Sequence, residues 1–244
     1  MPAEQENRPN HAHVFYKKAL ELLQESGIRF MLGGGFGMLH YTGIYRDTKD
    51  LDVFCEAEEC PRILELFDKH GYRTELTDIR WLAKIFDGDL FIDIIFNTPN
   101  NICKVDESWF QHAVSAEVMG VEVLMISAEE MIWCKTYVQN RDRYDGADVN
   151  HLILKQGKNL DWKRLLSRLD QHWHLLLAAI LLFQFVYPAD HGEIVPRWLF
   201  DELLERARRQ YEFPVVRPSC LGPLLDQRQY DMDVKEWNYK VSTI

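Results

Sequence analysis

The chain has 244 residues, 47% of them apolar, with seven Trp and thirteen Phe, which excludes a disordered polypeptide and provides for a real core in one large domain or two small ones. Its formal net charge of −10 argues against broad binding to nucleic acid or to an anionic membrane, because both need a dense Lys/Arg surface, although a local basic pocket remains compatible. Five scattered cysteines (Cys55, Cys60, Cys103, Cys134 and Cys220) match no metal-ligand spacing and read as reduced, mostly buried thiols.

The polar, acidic start has no signal-peptide pattern, so a cytoplasmic protein is expected. Residues 12–25 place Phe15, Ala19, Leu22 and Leu23 at helical spacing and stop before Gly27. Residues 28–32 form a short apolar strand that runs into Gly33-Gly34-Gly35, followed by a brief helix over 36–41 and an acidic strand over 49–55. A helix over 63–70 is closed by Gly71, and strands follow over 72–76, 80–86 and 90–96. Asp87-Gly88 between the last two is a hairpin signal.

Another strand is expected over 121–125, then a helix from Ser127-Ala128-Glu129-Glu130, a capping-box pattern, to about residue 139. Further helices are expected over 147–155, 161–170, 174–187 and 196–208. The run 175–187 is interrupted by Gln184 and is short for a bilayer span, so it reads as a core helix or a dimer face. The fold class is therefore α/β (α+β): a mixed sheet with flanking helices over 1–126, a helical domain over 127–213, and a tail over 214–244 packing on the body.

The chemistry concentrates in Arg46-Asp47-Thr48-Lys49-Asp50-Leu51-Asp52-Val53-Phe54. Side chains two apart on a strand share a face, so Asp50 and Asp52 stand together while Leu51 and Val53 turn away. Two adjacent carboxylates repel unless a cation lies between them, and hard oxygen ligands suit Mg²⁺ holding a nucleotide phosphate. A Gly-rich turn opening a helix suits the phosphate itself. Asp93 is one charge in the otherwise apolar run Leu90-Phe91-Ile92-Asp93-Ile94-Ile95-Phe96, costly to bury unless paired or metal-bound. It reads as a third ligand from a neighbouring strand, and Lys84, opposite it on the hairpin, either pairs with it or reaches the same pocket.

On these residues the chain resembles the DNA polymerase β-type nucleotidyltransferase superfamily. The resemblance rests on Gly33-Gly34, a short helix, Arg-x-Thr-x-Asp-Leu-Asp (Arg46, Thr48, Asp50, Asp52) and the later Asp93. It covers roughly residues 28–154 and is nearer the bacterial branch of antibiotic nucleotidyltransferases and abortive-infection toxins than the polymerases. The interval from Gly34 to Asp50 is longer than usual, and Gly35 stands where Ser or Thr is frequent.

The resemblance implies an enzyme that moves an NMP group from an NTP such as ATP to a hydroxyl of an unidentified acceptor. Asp50 and Asp52 would hold two Mg²⁺ ions, and Asp93 would help activate the acceptor hydroxyl. The backbone of Gly33, Gly34 and Gly35 would cradle the phosphates, with Arg46, Thr48, Lys84, Lys135 and Arg143 as further nucleotide contacts. Lys135 resembles a triphosphate-contacting lysine, and the segment 141–148 offers Arg143 for phosphate charge and Asp145 as an acceptor base. Two alternatives accompany this expectation: a non-catalytic nucleotide-binding regulator, and a toxin-like enzyme that modifies RNA or protein. His172 and His174 lack a third ligand and read as ordinary polar residues. Arg228, Gln229, Tyr230 and Trp237 could fold over the cleft and stack on a base, or form a packed strap.

Overall fold

Inward–outward alternation in residues 50–54 and 90–95 makes two strands that lie side by side inside a seven-stranded mixed sheet. The computed structural model describes residues 8–46, 50–214, 216 and 218–241. Among these the chain divides into two compact units, Met1–Ser127 and Ala128–Ile244.

The first unit runs α1 (Arg8–Ser26), β1 (Met31–Leu32), α2 (Gly34–Thr42), β2 (Asp50–Phe54), α3 (Cys60–Lys69), β3 (Arg73–Asp78), β4 (Leu82–Asp87), β5 (Leu90–Ile95), α4 (Glu107–His112), β6 (Val114–Val118) and β7 (Val121–Met125). The sheet order is β3-β4-β5-β2-β1-β7-β6. The β2/β5 and β1/β7 pairs are parallel and the others antiparallel. The β4–β5 hairpin turns tightly between Asp87 and Leu90, with Gly88 at φ +61°. Leu51, Val53, Ala83, Ile85, Ile92 and Ile94 are fully buried and form one core with Phe15, Leu20 and Leu23 of α1 and Ile63 and Phe67 of α3. Full burial of each large apolar side chain contributes about 1.5–3 kcal/mol, so this face fixes which residues of β2 and β5 remain for the other.

The mixed α/β architecture with flanking helices agrees with the sequence expectation. The expected strand over 28–32 contracts to Met31–Leu32, while α4 and β6 were not foreseen. The β6–β7 turn is Met119-Gly120, both at positive φ; a methionine there carries none of the Asn/Asp signal that marks such turns.

The second unit contains α5 (Ala128–Thr136), α6 (Gly146–Gln156), α7 (Trp162–Leu169), α8 (Trp173–Val186), α9 (His191–Ile194), α10 (Arg197–Glu212), the short strands β8 (Ser219–Cys220) and β9 (Lys240–Val241), and α11 (Asp231–Lys235) between them. Glu130, expected to close a capping box, has a fully buried carboxylate that accepts hydrogen bonds from Arg164 and Arg168. A buried charge survives only with such partners. Helix α8 buries Leu176, Ile180 and Phe183 and exposes Leu181, Phe185 and Val186, so it is core on one stripe only. The run Trp162–Val186 is long and apolar enough to cross a membrane by length and composition, and a 3-10 turn at Asp170–His172 interrupts it.

Candidate active site

The parallel register of β2 and β5 sets Asp52 directly beside Asp93, and the two-residue repeat sets Asp50 on the same face. One carboxylate oxygen from each of Asp50, Asp52 and Asp93 lies within 4.8 Å of the others, and all three side chains are half-buried. Opposite corners of a six-coordinate Mg²⁺ shell with bonds near ~2.1 Å are about 4.2 Å apart. The 4.8 Å limit is slightly wider than this span, so three hard oxygen donors stand where small side-chain adjustments would bring them onto one such ion. Among the described residues this is the one group of three or more His, Cys, Asp or Glu side chains so arranged.

The antiparallel β4–β5 register places Lys84 opposite Asp93, and its ammonium donates to Asp93 Oδ1. The same ammonium lies 4.0 Å from the centroid of the Phe91 ring. Both members of the pair are largely buried, at 21% and 16% exposure. Burial pushes the Asp93 carboxyl up from its ordinary value, and the Asp50 charge adds to this, against the downward pull of Lys84.

The glycine turn meets the acids from β1 and α2. Gly33 N–H donates to the Asp52 carbonyl at 3.1 Å, and Gly37 N–H to the Gly33 carbonyl at 2.9 Å. A Cβ on Gly33 would come within 2.6 Å of Phe54 and 2.8 Å of Ile126. Gly34 has φ +51°, and a Cβ there would collide with the Asp52 carboxylate itself. The glycines thus let the start of α2 press against a metal-ligand candidate. Gly35 follows in the first turn of α2, where backbone N–H groups lack intrahelical partners.

Tyr16 of α1 was missed by sequence reasoning. It is 2% exposed, and burial together with the charges of Asp50, Asp52 and Asp93 pushes its hydroxyl up to about 12. On a helix whose inward stripe already holds Phe15, Ala19, Leu20 and Leu23, it carries no sequence signal beyond one more inward-facing residue. Arg46 is exposed, and Thr48 lies outside the described residues.

Lys135 and Arg143, expected at the nucleotide, belong to the second unit. Lys135 Nζ donates to Asp145 Oδ2 at 2.7 Å and to Asp148 Oδ2 at 2.8 Å, in a setting that leaves it 11% exposed. Arg143 grips Asp145 through Nε and Nη2, each at 2.8 Å. Burial raises the Asp145 carboxyl, but Arg143 and Lys135 outweigh it and hold the group below the usual carboxylate range. A carboxylate so held is a poor acceptor base. His172 and His174 each have a polar neighbour: Tyr137 Oη lies 2.6 Å from His172 Nδ1, and His174 Nε2 lies 2.5 Å from Gln210 Oε1.

A mixed sheet presenting paired carboxylates from one strand and a third from its neighbour, beside a glycine turn, defines a nucleotidyltransferase-like protein. The chain belongs to the family of nucleotidyl transferases of unknown function (DUF2204), which it matches over residues 13–171, and it is an enzyme of that class. The antibiotic-resistance factor ANT(2'')-Ia is similar in structure, at 16% identity and a TM-score of 0.50, covering 68% of this chain and 95% of that one. The lincomycin-bound lincosamide antibiotic adenylyltransferase LnuA is 18% identical with a TM-score of 0.42, covering 57% and 94%. JHP933 from Helicobacter pylori is 14% identical with a TM-score of 0.38, covering 96% and 99%. The likeness to ANT(2'')-Ia shows a shared fold and no more. No curated protein matches the chain.

Proposed function

We propose that the protein transfers a nucleoside monophosphate from a nucleoside triphosphate such as ATP to a hydroxyl group of a separate acceptor. The convergence of Asp50, Asp52 and Asp93 on one point carries this proposal. These three side chains would hold Mg²⁺, two ions by analogy with the superfamily. When bound, the metal supplies charge neutralisation on the triphosphate and a lowered pKa for the attacking hydroxyl.

The chain's own groups do the rest. The first-turn amides of α2, around Gly34 and Gly35, receive phosphate oxygens. Asp93, whose carboxyl burial raises, is better matched than an ordinary carboxylate to take a proton from the acceptor hydroxyl. Lys84 neutralises Asp93 from β4, on the side of β5 opposite β2. Arg46 and Thr48, on the segment leading into β2, are assigned to the nucleotide. Lys135 and Arg143 are assigned to holding Asp145 and Asp148, because their charges are already engaged there.

Incubation with α-labelled ATP, Mg²⁺ and candidate acceptors, beginning with aminoglycosides and lincosamides, tests the proposal. The expected result is pyrophosphate release and a product heavier by one nucleotide, absent in Asp50→Asn/Asp52→Asn. Failure to bind any NTP with any divalent cation would end it. The Lys84–Asp93 pair favours one other reading, a site that binds nucleotide without turnover; tight binding with no pyrophosphate release under every acceptor would establish that instead.

A further inference from the structure

Four side chains stand in a row across the sheet face that carries the acids. The register pairs Glu75 of β3 with Lys84 of β4, Lys84 with Asp93 of β5, and Asp93 with Asp52 of β2. Directly paired residues share a face, so Lys84 is the cation of this row and meets the acidic cluster from the side away from β2. Glu75 does not draw it off: the Glu75 carboxylate accepts from Arg73 Nη1 at 3.2 Å, while Lys84 donates to Asp93 Oδ1.

The ammonium is held in place. Its strand neighbours Ala83 and Ile85 are fully buried, and the Lys84 side chain is 21% exposed. The Phe91 ring, which the register sets beside Asp50, lies 4.0 Å from it. Swinging out to water would break the Asp93 pair and the ring contact together. A divalent ion held by Asp93 therefore shares one carboxylate with a fixed ammonium. Two charges acting on one at about 6 Å, a carboxylate with a cation on each side, cost about tenfold in affinity even in the dielectric of water. Salt at about 0.1 M screens part of this, and the low exposure of the pair restores it.

We propose, resting on the metal reading of the three acids, that Lys84 holds down the affinity of the nucleotide-free site for a bare divalent cation, so that the ion enters with its triphosphate, whose negative charge the same ammonium attracts. Mn²⁺ titration of the full chain at about pH 8 and 0.1 M salt, followed by electron paramagnetic resonance, tests this without turnover. The expected result is Mn²⁺ binding at least about fivefold tighter in Lys84→Met than in wild type. Lys84→Arg keeps the charge and stays within about twofold of wild type. Arg73→Met removes the same charge from β3, two to three strand spacings, roughly 10–14 Å, from β5 and β2. That is at or beyond the screening length of about 10 Å, so its affinity also stays within about twofold. Saturating α,β-methylene-ATP, which surrounds the ion with negative charge, narrows or reverses the gap between wild type and Lys84→Met.

Cooperative urea unfolding establishes that each variant folds. Should Lys84→Met not fold, Lys84→Gln, which keeps a donor for Asp93 without the charge, takes its place. Equal or weaker Mn²⁺ binding in the uncharged variant, an equal tightening in Lys84→Arg or Arg73→Met, or a gap that the nucleotide analogue leaves unchanged would each overturn the proposal and leave the metal site standing. Mn²⁺ bound by neither wild type nor any variant would overturn both.

Discussion

Gly34→Ala isolates the contact between the glycine turn and the acidic cluster. Gly34 has φ +51°, and a non-glycine residue in that region costs roughly 1–2 kcal/mol. Restricting the unfolded chain returns about 0.4–1 kcal/mol of this. The backbone alone therefore predicts a net loss near 1 kcal/mol, or about 2–4 °C in Tm for a chain of this size. The added methyl also meets the Asp52 carboxylate and must push it aside, so a metal-ligand candidate moves on the order of 1 Å. Disturbing a ligand's supports typically costs about 10–100-fold in metal affinity. Gly43→Ala is the matched control: Gly43 has φ +72° at the other end of α2, but a Cβ there has no neighbour within 4 Å. Urea unfolding should find Gly43→Ala carrying the backbone cost alone and Gly34→Ala at least as destabilised, and Mn²⁺ titration by electron paramagnetic resonance should find only Gly34→Ala impaired. If the two variants bind Mn²⁺ within about twofold of each other, the account of why glycine stands at position 34 is wrong.

Other outcomes follow from the same geometry. With Mg²⁺ at ten times its dissociation constant, mass action stabilises the wild type by about 1.4 kcal/mol, and differential scanning fluorimetry should find that rise absent in Asp52→Asn. Glu130→Gln leaves Arg168 facing a neutral partner and Arg164 with Glu129 at 4.0 Å, and should cost about 3–5 kcal/mol in urea unfolding; a loss under about 1 kcal/mol would mean the buried cluster contributes little. The depressed pKa of Asp145 gives stability that is full above its ordinary value of 3.8 and is lost as pH falls through its lower native value. Asp145→Asn should therefore be less stable at pH 7 and should flatten the acid limb of the stability–pH curve, measured by chemical denaturation between about pH 2 and 7; an unchanged limb would contradict the pairing.

The sequence made the acidic cluster legible because two local rules sufficed. Alternation on β2 put Asp50 and Asp52 on one side, and an isolated charge within the apolar run of β5 demanded a partner. That Asp93 stands beside Asp52, and not a residue further along, depends on strand register, which no local pattern carries. Tyr16 was hidden for the same reason: helical spacing says that it points inward, not which strands it meets. Lys135 shows the limit from the other side: its place on a capped helix suggested phosphate, and no local pattern announced that the carboxylates ten and thirteen residues later pair with it. Helix α4 was lost because it is only six residues long, although Asp106 caps it, and strand β6 because its turn opens on Met119.

The acids stand on adjacent ribbons whose opposite surface is the packed interior. A one-residue slip between β2 and β5 would carry Asp93 into that interior and lift Ile92 or Ile94 out of it, so misalignment is penalised by folding before activity is ever tested. Loops can therefore lengthen, shorten or change composition through evolution while the spacing of the three oxygens is inherited intact.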